Sequence, residues 1–227
     1  MIPRELIGTA QVPGGEELRL YRHDRDFMIV LDRNELMSSR LSGSEIALAE
    51  QSLARIEGAM RPAVLIGGYG MGFTLRAALA KLPKDAHVTV AELVPEIIEW
   101  ARGPMQDLAA GCLDDTRVRL VMTDVADVIR ANGLNVGGTG YDAILLDVDN
   151  GPDGLVRAAN NQLYSTRGLR AARSALRPGG VLAIWSAAKD PNFTVRLKHV
   201  GFDVEEIEVR ARSNGKGAKH VIWFARD

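Results

Sequence analysis

The sequence predicts an α/β fold, in which helices wind both faces of a mostly parallel, seven-stranded sheet and a smaller β element precedes it. Three observations carry this expectation. Short apolar runs alternate with helix-forming segments from residue 64 to residue 200, the pattern of strand–helix–strand crossovers. The first run, Val64-Leu65-Ile66, leads into Gly67-Gly68-Tyr69-Gly70-Met71-Gly72 and then a good helix former, 73–80. The second, His87-Val88-Thr89-Val90-Ala91, ends on Glu92, twenty residues beyond Gly72.

The elements follow in order. Leu18–Arg22 and Phe27–Leu31 are β-rich runs separated by His23-Asp24-Arg25-Asp26, which reads as a hairpin. Ser42-Gly43-Ser44-Glu45 opens a helix whose apolar positions are Ile46, Leu48, Ala49, Leu53 and Ile56, broken at Arg61-Pro62. Strands are expected at 64–68, 87–92, 117–122, 142–148 and 180–186, with helices near 95–102, 125–131, 166–176 and 191–199. Two more strands, Phe202–Val209 and Lys219–Ala225, are joined by the hairpin signal Arg212-Ser213-Asn214-Gly215-Lys216-Gly217. A Rossmann-like parallel sheet finished by an antiparallel pair is the arrangement of class I methyltransferase folds. The expected division is an N-terminal hairpin and first helix over 1–60, and a nucleoside-binding catalytic domain over 61–227.

The 227 residues are 46% hydrophobic and 25% charged, with a formal net charge of −1, enough for a substantial core. No apolar run approaches the roughly 20 residues needed to span a bilayer, and Met1-Ile2-Pro3-Arg4-Glu5-Leu6 has no signal-peptide core. A cytoplasmic protein without a membrane partner is therefore expected. Cys112 is the single cysteine, and His23, His87, His199 and His220 are dispersed, so neither a disulfide framework nor a metal site is expected.

The glycine turn aims backbone N–H groups at a ligand, and an acid about twenty residues on suits ribose hydroxyls. The spacing is GxGxG, without the GxGxxG of dinucleotide sites or a Lys-Ser/Thr for phosphate, so a single nucleoside fits. The expected nucleoside contacts are Gly68, Tyr69, Gly70, Met71 and Gly72 in the turn, Glu92 and Leu93 after the second strand, and Asp124 and Val125 after the third. Asp124 suits an adenine amino group and equally an N-cap of the next helix.

The fourth strand runs into Asp147-Val148-Asp149-Asn150-Gly151-Pro152-Asp153. Acids there can hold an amine, or take a proton from a nucleophile. A calcium loop is disfavoured because Ala158 stands where its twelfth-position glutamate belongs, and Asn150-Gly151-Pro152 also forms a turn. Tyr164 either closes over the acceptor or anchors the next helix. Trp100 and Arg102 read as a packing and a solvated residue. The basic segment Arg210–His220 reads as an exposed hairpin, since no aromatic platform accompanies it, and no nucleic-acid partner is expected.

Over nearly its whole length the chain resembles the spermidine synthase superfamily, and within it a branch of short bacterial spermidine-synthase-like proteins. The resemblance rests on the N-terminal hairpin, Gly43-Ser44-Glu45-Ile46-Ala47-Leu48-Ala49-Glu50, the glycine turn, Glu92, Asp124, Leu145-Leu146-Asp147-Val148-Asp149-Asn150-Gly151-Pro152, and Leu176-Arg177-Pro178-Gly179-Gly180-Val181-Leu182. It implies an adenosyl sulfonium held by the glycine turn and Glu92, a deprotonating role for Asp147, and a homodimer by analogy.

Three positions depart from the family pattern. Met71 stands where an Asp contacts the aminopropyl amine of decarboxylated S-adenosylmethionine, Asn150 where an Asp faces the diamine, and Leu48 where a Tyr is expected. Each lost charge-assisted hydrogen bond costs about 1.5–3 kcal/mol, so the first two together weaken catalysis by about two to four powers of ten. The leading expectation is methyl transfer from S-adenosylmethionine to a small polar or amine acceptor, with Asp147 aligning the nucleophile, Asn150 shaping the acceptor site and Tyr164 nearby. Aminopropyl transfer from decarboxylated S-adenosylmethionine is the alternative. A nucleic-acid methyltransferase and a non-catalytic nucleoside-binding protein rank below both.

Overall fold

The structure is a computed structural model that describes residues 3–133, 140–148 and 160–227. The chain opens with β1 (Glu5–Gln11), β2 (Glu17–His23), β3 (Asp26–Leu31) and β4 (Asn34–Ser38), an antiparallel sheet in sequence order. This sheet is larger than the hairpin expected over 18–31. The outer strands escaped the pattern because they are half-solvated: β1 buries Ala10 alone and leaves Leu6 51% exposed, and β4 buries only Ser38.

Helix α1 (Gly43–Ala54) follows. Its buried residues, Ser44, Glu45, Leu48, Ala49, Ser52 and Leu53, recur at three- and four-residue steps and form one stripe. That stripe lies on the larger sheet. Three of its members, Ser44, Glu45 and Ser52, are polar.

The larger sheet begins with β5 (Ala63–Gly67), α2 (Phe73–Lys81), β6 (His87–Glu92), α3 (Pro95–Arg102), the short α4 (Gln106–Ala109), β7 (Val118–Met122) and α5 (Val125–Gly133). It continues with β8 (Tyr141–Leu146), the short α6 (Asn160–Leu163), α7 (Thr166–Ala175), β9 (Leu176–Ser186), α8 (Pro191–Val200), β10 (Asp203–Arg210) and β11 (Lys219–Arg226). Strand order is β10-β11-β9-β8-β5-β6-β7, and β11 runs antiparallel to both neighbours. This is the expected seven-stranded, mostly parallel, doubly wound sheet. The helix expected over 166–176 stops at Ala175, and β9 starts four residues earlier than expected, running through Pro178-Gly179-Gly180 beside a register shift in its pairing with β8.

Because both faces are covered, strand residues alternate between two cores rather than between core and solvent. Val64, Ile66, Ala143, Leu145, Trp185 and Ile222 join the core that α1 and α2 close, whereas Leu65, Ile144, Leu146, Ile184 and Trp223 join the one closed by α7 and α8. Capping follows local chemistry: Ser165 accepts from Gly168 N at the start of α7, and Asp190, followed by Pro191, accepts from Phe193 N at the start of α8. Among the described residues no helix is long and apolar enough to cross a membrane.

Candidate active site

A cavity of about 750 Å³ opens at the C-terminal ends of β5, β6, β7, β8 and β9, with β3 and β4 of the small sheet as its cover. Ligands bind open α/β sheets at this end, and the volume suits a nucleoside with a small second substrate.

The turn between β5 and α2 forms one end. Gly68 has φ 82°, and a Cβ there would sit 2.7 Å from the carbonyl oxygen of Asp147. Gly70 has φ 55°, and a Cβ would meet Sδ of Met37, on β4, at 2.6 Å. Both a left-handed conformation and close approach therefore require glycine. Gly68 and Gly70 line the cavity. Tyr69 and Met71, expected beside the ligand, are 4% and 1% exposed and pack into the core, and neither they nor Gly72 line the cavity.

Glu92 closes this end from β6. Its carboxylate accepts from Tyr69 N at 2.8 Å, Leu93 N at 2.7 Å and Val94 N at 2.8 Å. Burial pushes its carboxyl above the ordinary range, and these backbone bonds pull the other way. Glu92 thus clamps the glycine turn to the end of β6 while it lines the cavity beside Leu93. Asp124 accepts from Ala126 N at 2.9 Å and lines the cavity with Thr123 and Val125, so its capping position and its ligand-facing position are the same place.

The rest of the lining is assembled from distant segments and begins beside the glycine turn, where the Asp147 carbonyl faces Gly68. Asp147 leaves β8 beside the cavity and accepts from Thr74 Oγ1 at 2.9 Å. Burial pushes its carboxyl up to about 6, with the Thr74 bond opposing. Glu45, on the buried stripe of α1, faces the same cavity. Burial first, and then the negative charge of Asp147, pushes Glu45 up to about 8. Ser44 Oγ lies 2.7 Å from Glu45 Oε2 and 2.9 Å from Nδ1 of His220. The His220 ring meets Trp185 edge to face, with centroids 4.8 Å apart, and burial lowers the His220 pKa. Trp185 also lines the cavity, and its indole N–H has no partner among the described residues.

Glu45, Ser44, His220 and Trp185 were not among the residues expected from the sequence. The signal that could have found Glu45 is its spacing: it stands three and four residues before Leu48 and Ala49, on the face that must be buried. Of the other positions singled out, Asn150 lies outside the described residues, as do Asp149 and Asp153. Leu48 is fully buried in the core and does not line the cavity. Tyr164 is placed under the site: it is 2% exposed, lies edge to face with Phe193 at 5.7 Å, and donates from its hydroxyl to the carbonyl of Val148 at 3.2 Å. It packs in the core closed by α7 and α8 and does not itself line the cavity, although Val148, to which it donates, does. The basic loop is used locally: Gly43 N donates to the carbonyl of Ala211, and Lys219 pairs with Glu208.

No family model matches the chain. It is 36% identical over 121 residues to the polyamine aminopropyltransferase of Mycobacterium tuberculosis, covering 53% of this chain and 22% of that protein. It is 29% identical over 132 residues to the polyamine aminopropyltransferase of Sulfolobus acidocaldarius, covering 58% and 40%. The matched segment is thus less than half the length of these curated relatives. Two solved structures share its fold: the spermidine synthase of Thermotoga maritima, with a TM-score of 0.72, and a spermidine synthase in complex with the transition-state analogue AdoDATO, with a TM-score of 0.71. Each is 19% identical and covers 97% of this chain and 72% of its own. In sequence over half its length and in fold over nearly all of it, the chain is similar to the spermidine synthase superfamily.

Proposed function

We propose that the protein transfers an aminopropyl group from decarboxylated S-adenosylmethionine to a small amine. The observation that carries this reading is the pair of carboxyls, Glu45 and Asp147, facing the same cavity as the glycine turn and Glu92. A buried acid whose proton affinity is raised by a neighbouring carboxylate is costly alone, and the pair is relieved by a nearby cation. An alkylammonium is such a cation. The methyl-transfer expectation rested on charges missing at Met71 and Asn150, but Met71 is turned into the core, so its thioether is not a failed amine ligand. Glu45 supplies a carboxylate there from another element, and the named aminopropyltransferase relatives favour the same reaction.

In this reading Glu92 and Asp124 orient the nucleoside through ribose and adenine. Asp147 accepts a proton from the acceptor's ammonium, and Thr74 holds Asp147 in place. The freed amine attacks the aminopropyl carbon attached to sulfur; the C–N bond forms as the C–S bond breaks, and the electron pair returns to sulfur. Exclusion of water by β3 and β4 favours amine over hydroxide as nucleophile. The test is a product assay with purified protein, each sulfonium donor and a panel of mono- and diamines. Release of methylthioadenosine from the decarboxylated donor, with a matching mass gain on the amine, is the expected result. S-adenosylhomocysteine formed from intact S-adenosylmethionine would replace this reading with methyl transfer.

A further inference from the structure

Aminopropyl transfer leaves a proton behind. An ammonium and a sulfonium react to give a secondary ammonium and a neutral thioether, so charge balances only if one proton is released. Asp147 receives it at the cavity floor, and it must leave before the next turnover.

Beside Asp147 runs a chain of hydrogen-bonding groups from Glu45 to a half-buried ring further along the same cavity wall: Glu45 Oε2, Ser44 Oγ at 2.7 Å, and His220 Nδ1 at 2.9 Å. Ser44 is fully buried and has one hydroxyl proton, so the chain has two ordered states. With Glu45 ionised, Ser44 donates to Glu45 and His220 Nδ1–H donates to Ser44. With Glu45 protonated, Glu45 donates to Ser44 and Ser44 donates to a bare His220 Nδ1, leaving the imidazole proton on Nε2. Passing from the second state to the first, with loss of the Nε2 proton to water, moves one proton from Glu45 to solvent.

We propose that Glu45, Ser44 and His220 form a proton relay that carries the acceptor's proton away from Asp147 to the half-buried His220 ring and so to water, with Ser44 and His220 acting through Glu45 as positioning residues. The proposal rests on the aminopropyl-transfer reading. The surroundings support it. The charged group facing Glu45 is Asp147 from β8, whose negative charge drives a proton onto Glu45, while β9 presents the uncharged Trp185. On β10, Glu205 is engaged by Arg55 and Glu208 by Lys189 and Lys219, so these carboxylates do not compete for His220. Burial keeps His220 a weak base, which suits a group that must pass its proton on. The backbone bond from Gly43 to Ala211 ties the start of α1 to the strand pair carrying His220, holding the chain in register.

The experiment is steady-state kinetics of the full chain with decarboxylated S-adenosylmethionine and the best amine, comparing wild type, Ser44→Ala and His220→Gln at low and high imidazole concentration. The relay predicts that kcat falls about tenfold in both variants, that KM for both substrates is little changed, that the solvent isotope effect on kcat grows, and that imidazole restores the rate. An unchanged kcat in both variants overturns the relay. So does a loss that imidazole leaves untouched and that comes with a raised amine KM. If wild type transfers no aminopropyl group, the functional reading fails separately, and nitrogen NMR of His220 then tests the chain itself: its tautomer must switch as Glu45 titrates and cease to do so in Ser44→Ala. A tautomer constant with pH in wild type would refute the relay.

Discussion

The two parts of the cavity lining are built by different rules. The proposed nucleoside part is built round one turn and one acid within 25 residues, 68–92, with Asp124 added from the end of β7, and it is held mainly by main chain: Glu92 receives three backbone N–H groups, and Gly68 and Gly70 leave no room for a side chain. The proposed acceptor part draws Glu45 from α1, Thr74 from α2, Asp147 from the end of β8, Trp185 from β9 and His220 from β11, and works through side chains. In the proposed reading, main chain set by the fold holds the nucleoside, whereas side chains from five elements, which can vary one residue at a time, select the acceptor.

The largest expected effect separates chemistry from binding. Asp147→Asn removes the proton acceptor and lowers kcat by about 10²–10⁴-fold, while methylthioadenosine titrated calorimetrically binds as in wild type. Equal damage to nucleoside binding would show that the two parts are not independent. Glu92→Ala is the converse. It leaves three backbone N–H groups without their acceptor at a cost of about 1–3 kcal/mol each, so methylthioadenosine binding should be lost, with a fall in Tm measured calorimetrically.

Glu45→Gln should raise the amine KM about 10- to 100-fold, the value of one charge-assisted hydrogen bond, and leave the donor KM unchanged. The same variant carries a pH signature. Glu45 is held above its ordinary value in the fold, so its contribution to stability is complete below about pH 4, its unfolded value, and is lost as pH rises through about 8. The unliganded Gln variant should therefore melt above wild type by several degrees at about pH 9, at about 2–4 °C per kcal/mol, and the gap should close toward about pH 5. A constant gap across that range would mean that Glu45 is ionised throughout. The smallest effect is expected of Tyr164→Phe: loss of its bond to the Val148 carbonyl should lower stability by about 0.5–1.5 kcal/mol in urea unfolding and change kcat less than threefold, whereas a kcat loss of the size expected for Asp147→Asn would place its hydroxyl in the acceptor site.

How much was legible follows from how each part is encoded. The parallel sheet was legible because strands buried on both faces are short apolar runs and the helices between them announce themselves by period; the caps at Ser165 and Asp190 came only with the structure. The placement of the glycine turn and Glu92 at the cavity was legible because it depends on spacing along one chain segment. Strands β1 and β4 were not, because edge and half-solvated strands carry little apolar alternation.

By itself, then, the sequence determined the fold class, the position of the glycine turn and Glu92 beside the cavity, and the place of Asp147, since each depends on local order: a strand, a turn, and the acid at a strand end. Only the tertiary structure decided which side chains meet. It turned Met71 and Leu48 into the core, set Tyr164 beneath Val148, and brought Glu45 and His220, 175 positions apart in the chain, to the two ends of one hydrogen-bonded line through Ser44. The physical reason is that a helix laid across several strands joins residues of arbitrary separation. Periodicity tells which face of α1 is buried, and packing alone tells what that face touches.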